Sequence, residues 1–426
     1  MNRSHYLSLL LIFGLTLSLT ATPSLISTSR TQTAFAQPEP SSGQNILLSY
    51  DTKNMTHRSA VEEWQPHAKQ SDYSQEWWYM TAFFNDTKGH LYSLMFTDFK
   101  QDGKDLPLIK SNPQLAPQLG PDTTATQCML GFSNYDTGYR NYNVGLTVNN
   151  VSQIWEPKTH AVNYDCQGMT GSWSYNDGGD KMKFVLNYDN KTQPTKNMSF
   201  DFNLTGGKQV MWTKDSVYNK EGFLQEGGPG NVSFYYSLPR LDLSGKVSYI
   251  DQSGSNQTLD VLGQAWTDRQ WGDWNTRAWE WSSLRFDNGG RVNLYSFGGA
   301  LEGGKAYLVG TYQKPDGSLQ WFDNFTTKQN GYAKLSNGDW VSFGWSYEFP
   351  INIEGSKHYT LVPLSNPFSN NPPVDWTMAL TNPRIYFIEQ GGDIIDDTTG
   401  KIVGKSMTES MPIQLLKNGP YEVNQH

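Results

Sequence analysis

EWWYMTAFFNDTKGHLYSLMFTDF, residues 76–99, decides how the rest of the chain reads. Two runs rich in aromatic and apolar residues flank Asn85-Asp86-Thr87-Lys88-Gly89, a cluster of turn formers, and this is the pattern of a β-hairpin. Side chains alternate across a strand, so Trp77, Tyr79 and Thr81 share one face of the first run and Glu76, Trp78 and Met80 the other. Both faces carry aromatic rings. One face should therefore look into a closed barrel and the other onto outer cover.

Working outward, the hairpin has an echo. Glu280-Trp281 opens a second run that passes through Asn288-Gly289-Gly290 and reaches Leu294-Tyr295-Ser296, as Glu76-Trp77 leads to Leu91-Tyr92-Ser93 about 200 residues earlier. An offset of half the chain is what duplication of one β-domain leaves behind. Between and after the two hairpins, strand-like runs such as GYRNYNVGLTV, KMKFVLNY, MSFDFNLT, VSFGWSYEF and RIYFIE alternate with Gly, Asn and Asp clusters, and no segment keeps a helical period. That spacing suits an antiparallel barrel or sandwich. The fold class expected is all-β, two tandem lipocalin-like antiparallel β-barrels with little helix. The expected divisions are a signal at 1–36, a polar N-terminal segment at 37–70, a first barrel at 71–252 and a second at 253–426.

Where the second half begins, WTDRQWGDWNTRAWEW at 266–281 places five tryptophans among sixteen residues, interleaved with Asp268, Arg269, Asp273, Arg277 and Glu280. Indole is costly to leave in water and charged groups are costly to bury. Their combination suggests an aromatic cavity with a few oriented polar groups, suited to a long apolar ligand. A packed core with each Trp N–H satisfied by a carboxylate is the plainer reading of the same pattern.

The opening residues read as an export signal, with Arg3 ahead of an apolar run at 6–20 and Ala34-Phe35-Ala36 as a cleavage site. This stretch holds two arginines and no acid, so the mature chain is two charges more negative than the −8 of the whole. Such a chain repels nucleic acid. No later stretch reaches the length of a membrane span. Cys128 and Cys166 could pair in an oxidising compartment or stay as two buried thiols. Seven scattered histidines lack metal-ligand spacing, and GGDIIDDTTG around Asp393 reads as a hairpin turn. We expect no metal and no nucleotide cofactor.

EWWY at 76–79, YYSLPRL at 235–241, GQAWTDRQWG at 263–272 and the terminal Tyr421-Glu422 together resemble the AttH-like, lipocalin-like family that includes the carotenoid hydratases. The resemblance implies two lipocalin-like domains in tandem, and for some members hydration or cyclisation of isoprenoid or polyene substrates. It also implies an active-site D-H-x-W-G motif with a Tyr-x-Asp downstream, matched here by Asp268, Arg269, Trp271, Tyr295 and Phe297. Arg269 stands in place of His and Phe297 in place of Asp. Arginine stays charged across the usable pH range and phenylalanine carries no exchangeable proton, so Asp268 is the acid left in the motif.

Two classes of function stay open at this stage. As an enzyme, the protein hydrates, isomerises or cyclises an isoprenoid double bond, with Asp268, Arg269, Trp271 and Tyr295 as the catalytic set. Glu76, Trp77, Trp78, Tyr79, Trp266, Trp274, Trp279, Glu280, Trp281 and Phe297 then line the ligand site. As a carrier it binds an amphiphile, a fatty acid or isoprenoid phosphate, whose head group pairs with Arg269. A surface module whose barrels are filled by their own side chains is the third reading. The expected partner is a hydrophobic small molecule or lipid, and the oligomeric state is open. Period-two alternation adds a constraint: if Arg269 and Trp271 face the ligand, Asp268 faces away.

Overall fold

The computed structural model describes residues 58–67, 75–103, 109, 112–118, 123–214, 219–225, 232–273, 279–298, 306–334, 340–365, 375–378 and 385–410. The expected leader, most of the 37–70 segment, Trp274 and the terminal Tyr421-Glu422 lie outside the described residues.

Turn-forming clusters cut the chain into strands where the sequence places them. The first sheet takes β1 (Gln75–Asp86), β2 (Leu91–Asp102), β3 (Thr123–Asn134), β4 (Tyr139–Asn150), β5 (Trp155–Glu156), β6 (Ala161–Cys166), β7 (Met169–Asn176), β8 (Lys181–Tyr188) and β9 (Met198–Thr205). It is completed by β10 (Met211–Trp212), β11 (Phe223–Gln225), β12 (Val232–Ile250) and β13 (Asn256–Asp273). The second sheet takes β14 (Trp279–Phe286), β15 (Arg291–Gly298), β16 (Ala306–Gln313), β17 (Leu319–Phe322), β18 (Thr326–Lys334) and β19 (Trp340–Ile353). To these it adds β20 (Ser356–Pro363), β21 (Asp375–Met378), β22 (Ile385–Asp396) and β23 (Lys401–Ser410).

The strand orders are β4-β3-β2-β1-β13-β12-β9-β8-β7-β6-β5 and β17-β16-β15-β14-β23-β22-β20-β19-β18. In each sheet the opening strand pairs on one side with its hairpin partner and on the other with the last strand of its own half. This shared closure is the Glu-Trp…Leu-Tyr-Ser repeat seen in three dimensions. Both sheets curl into half-barrels, so the chain is an all-β protein of two lipocalin-like domains. The Gly391-Gly392-Asp393 stretch and its neighbours run through β22 into the turn at 397–400, as the hairpin reading requires.

The second half starts later than the sequence suggests. β13 was expected to open the second barrel, yet it pairs along its length with β1 and β12 of the first sheet. The chain changes sheets between Asp273 and Trp279. The small polar residues near Ser253 form the hairpin turn between β12 and β13, and a boundary and a turn use the same residue types. A second departure concerns residues 58–67, expected to be part of a linker. They pack into the first barrel, where Trp64 is fully buried, donates from its indole to the Trp173 carbonyl (3.2 Å) and accepts from Trp78 (3.0 Å).

The rim of the first barrel is fastened covalently. Cys128 of β3 is bonded to Cys166 of β6, strands on either side of the gap between the two ends of the sheet. Gly145 of β4 lies directly opposite Cys128, and a β-carbon there would come within 2.2 Å of the Cys166 carbonyl oxygen. The missing side chain is what lets the two edges meet.

Three buried apolar clusters follow from the two-faced strands. One fills the first barrel, with Trp78, Phe96, Trp173, Phe184 and Trp271, and another fills the second, with Phe286, Tyr312, Trp345 and Phe349. The third lies between the sheets and contains Tyr79, Phe83, Trp266, Trp279, Trp281, Tyr295, Phe297 and Phe387. The outer cover expected for the first hairpin is therefore the other half of the molecule.

Candidate functional site

Alternation along β1 and β13 sends neighbouring residues into two different environments. Into the first barrel go Glu76, Trp78, Arg269 and Trp271, where they meet Glu63 and His67 from the N-terminal segment. Arg269 is 0 % exposed, and every nitrogen of its guanidinium is occupied within the protein. Nε donates to the Glu63 carbonyl and Nη1 to those of Trp77 and Gln270, while Nη2 reaches the Gln65 carbonyl, His67 Nδ1 (2.9 Å) and Glu76 Oε2 (2.5 Å). Since arginine only donates, His67 Nδ1 accepts and its Nε2 donates to Glu63 at 2.8 Å. The guanidinium lies 3.8 Å over the Trp78 ring, and the His67 ring stacks 4.4 Å from that of Trp271. Burial opposes ionisation of Glu76, but Arg269 and His67 outweigh it and hold its carboxyl at about 2. Lys100 and Asp98 form a further buried pair beside them, Nζ to Oδ1 2.6 Å.

This corrects several expectations. Arg269 has no donor left for a ligand head group, so the carrier reading that rests on it fails. Glu76 is the counter-ion of Arg269, and Trp78 and Trp271 are packed rings in the same cluster. Glu280, the counterpart of Glu76 in the second half, faces the second barrel and is held by Gln329 (2.9 Å), Ser342 (3.2 Å) and Trp345 (3.2 Å). The indoles of 266–281 do not wall one hollow. They divide between faces: Trp271 turns into the first barrel, whereas Trp266, Trp279 and Trp281 look into the layer between the sheets.

That layer holds the titratable groups that the barrels do not neutralise. Asp268 comes from β13, Glu389 from β22 and Glu409 from β23; Asp268 and Glu409 are buried and Glu389 is half-buried. Asp268 accepts from the Trp266 indole at 2.6 Å, Glu389 from the Tyr79 hydroxyl at 2.7 Å, and Glu409 from the Trp279 indole. Glu389 and Glu409 are directly opposed across the β22–β23 ladder, a position where like charges repel. Burial and the facing Glu409 push Glu389 well above the ordinary carboxylate range, and burial raises Glu409 as well. Burial lifts Asp268 to about 7, with hydrogen bonds to Ser237, Tyr235 and Trp266 and the charge of Arg285 restraining the rise.

Around these acids the rings meet edge to face, Tyr79 on Trp281 at 5.4 Å and Trp266 on Trp281 at 6.3 Å. Tyr295 and Phe297 stack at 5.1 Å, and Trp77 packs at the edge of the same layer against Phe99. Asn293 bridges the sheets, donating to the Tyr235 hydroxyl (3.0 Å) and to Ser237 (3.2 Å). A cavity of about 30 Å³ adjoins Glu389, lined also by Ser93, Ser133, Tyr135, Tyr142 and Met407. That is room for one water.

Of the predicted residues, the geometry brings Tyr79, Trp266, Asp268, Trp279, Trp281, Tyr295 and Phe297 together, with Trp77 at their rim. It sends Glu76, Trp78, Arg269, Trp271 and Glu280 elsewhere. Glu389, Glu409, Tyr235, Asn293 and Arg285 were missed. One local signal was available for Glu389, which stands in phase with Phe387 at the end of the apolar run Ile385-Tyr386-Phe387-Ile388.

With the fold and site described, comparison with known proteins gives a consistent result. A protein from Nitrosomonas europaea described as an AttH matches with a TM-score of 0.61 at 15 % identity, over 84 % of this chain and 98 % of that one. Kievitone hydratase from Nectria haematococca matches with a TM-score of 0.52 at 13 % identity, over 84 % and 93 %. At such identities the likeness is one of fold. No curated protein matches significantly in sequence. The AttH-like family model matches residues 57–364, most of the chain, and the protein belongs to the AttH-like family.

Proposed function

We propose that the protein is an exported enzyme that binds an elongated apolar ligand between its two sheets and transfers a proton to a carbon–carbon double bond of that ligand. The observation that carries this reading is the convergence of Asp268, Glu389 and Glu409 among tryptophan and tyrosine rings, with Glu389 and Glu409 directly opposed. A carboxyl group kept from ionising by an apolar site remains a proton donor near neutrality. The Glu389–Glu409 pair, unable to ionise twice at such close quarters, holds one proton as acid beside one carboxylate as base. The acid gives its proton to one alkene carbon, and the cation on the other carbon is stabilised by the faces of Trp266, Trp281 and Tyr79. Water adds to the cation and its surplus proton returns to a carboxylate, so the acid is restored. Loss of a different proton to the same base gives isomerisation. The shared fold with kievitone hydratase and the disulfide, which suits an oxidising compartment, support the reading.

Incubation with geranylgeraniol and with a linear carotene in deuterated water tests it, because hydration and isomerisation both deliver deuterium from solvent to carbon. Mass spectrometry of the recovered lipid should show that label, and Asp268→Asn and Glu409→Gln should each reduce its rate by roughly 100-fold or more. A bound lipid recovered unlabelled would leave a carrier in place of an enzyme.

A further inference from the structure

On β14 the residues Trp281, Ser283 and Arg285 alternate onto the face that looks between the sheets, and Asn293 of β15 lies directly opposite Ser283. Their exposures are 2 %, 0 %, 4 % and 2 %. Each nevertheless keeps polar atoms without a partner among the described residues: the Trp281 indole N–H, the Ser283 hydroxyl, Nε and Nη1 of Arg285, and the Asn293 side-chain oxygen. Buried polar groups are nearly always paired, so four failures along one strip mark a place where the protein leaves hydrogen bonding to something else. Arg285 is the extreme case. Its Nη2 donates to the carbonyl and hydroxyl of Thr81, and no carboxylate among the described residues lies within ion-pair distance of it. Phe83 and Trp266 flank the guanidinium, 5.2 and 5.9 Å from their ring centres.

We propose that the ligand of the inter-sheet site is an organic acid whose carboxylate pairs with the guanidinium of Arg285, with Ser283 and Trp281 taking further oxygens along its chain. The proposal rests on the reading of that site as a ligand site, and adds the class of compound. A buried guanidinium with free N–H groups and no counter-ion recognises a carboxylate through a charge-assisted hydrogen bond. Successive same-face residues on a strand are about 7 Å apart, so the three donors suit one oxygen-bearing molecule lying along β14. The neighbouring Asp268 and Glu389 do not oppose an anion, because burial favours their neutral forms. An unpaired buried cation is strongly destabilising, and the ligand's carboxylate relieves that cost.

Retinoic acid and retinol share one apolar skeleton and differ in the head group, and both report binding by quenching tryptophan fluorescence. The full-length protein should bind retinoic acid at least 10-fold more tightly than retinol. Arg285→Met should abolish that preference and bring the two probes to equal affinity, with a wild-type near-ultraviolet circular dichroism spectrum showing that the variant is folded. Arg285→Lys, which keeps the charge and shifts the donor, should fall between. Equal affinities for the two probes in the wild-type protein overturn the proposal even if neither variant folds, as does an acid preference that survives Arg285→Met. Tight retinol binding without acid preference would leave the proton-transfer reading standing and remove only this inference. Failure of both probes to bind would remove both.

Discussion

Asp268 and Arg269 are adjacent in the chain and point in opposite directions, and the two faces of their strand solve the problem of buried charge differently. On the barrel side every charge has its counterpart: Arg269 with Glu76, Arg58 with Glu63, Lys100 with Asp98. On the side between the sheets three acids crowd together, and Arg285 hydrogen-bonds only to a threonine among the described residues. What differs is whether the protein pairs its own charges, and this separates a polar cluster that holds a fold from one arranged for a visitor.

The largest expected difference between the faces is in stability. Arg269→Met leaves Glu76 buried without its counter-ion and should cost about 3–5 kcal/mol in chemical denaturation. Glu409→Gln removes one of two opposed carboxyls while keeping an acceptor for the Trp279 indole, and should leave stability equal or higher. A large loss in both variants would mean that the inter-sheet acids are as structural as the barrel pair.

Next in size is the pH dependence, which should have opposite signs on the two faces. Glu76 sits at about 2 in the folded protein against 4.5 for an ordinary glutamate, so its contribution is present above 4.5 and is lost as pH falls through 2. Asp268 sits at about 7 against 3.8, so the folded state is favoured below 3.8 and that advantage is lost as pH rises through 7. Asp268→Asn should therefore flatten the decline in stability between pH 4 and pH 7, by on the order of 3 kcal/mol. Glu389 and Glu409 leave part of the slope in place. A denaturation series across that range reads the difference directly, and an unchanged slope would show that Asp268 ionises normally inside the protein.

Period-two alternation made much of this legible before any coordinates. It placed Trp77 and Tyr79 on one face and Glu76 and Trp78 on the other, and it required Asp268 to turn away from Arg269. It could not say which face meets the second sheet, because both are aromatic and the identity of a face is decided by packing. The motif positions pointed to Arg269, and a guanidinium that looks available in sequence is saturated by carbonyls of 63, 65, 77 and 270, none of which leaves a signature in side-chain identity. Glu389 and Glu409 were out of reach for a related reason. They meet through the β22–β23 register, and no short motif joins two residues from opposite arms of a hairpin. The boundary near Ser253 went astray because a turn within the first sheet is built from the same residues as a linker.

The smallest effect compares one indole N–H on each face. Trp78 and Trp281 are both buried, at 0 % and 2 % exposure. The Trp78 indole donates to the Trp64 carbonyl at 3.0 Å, whereas that of Trp281 has no acceptor among the described residues. Replacing either by phenylalanine removes similar volume, so the two losses of stability share a cavity contribution. Trp78→Phe also leaves the Trp64 carbonyl unpaired and should cost about 1 kcal/mol more than Trp281→Phe. With a tightly bound acid in the site the order should narrow or reverse, because Trp281 then gains an acceptor that phenylalanine cannot use, while Trp78 is unaffected. If saturating retinoic acid leaves the gap between the two variants unchanged, the indole of Trp281 is not part of what the ligand touches, and the strip along β14 is shorter than three donors.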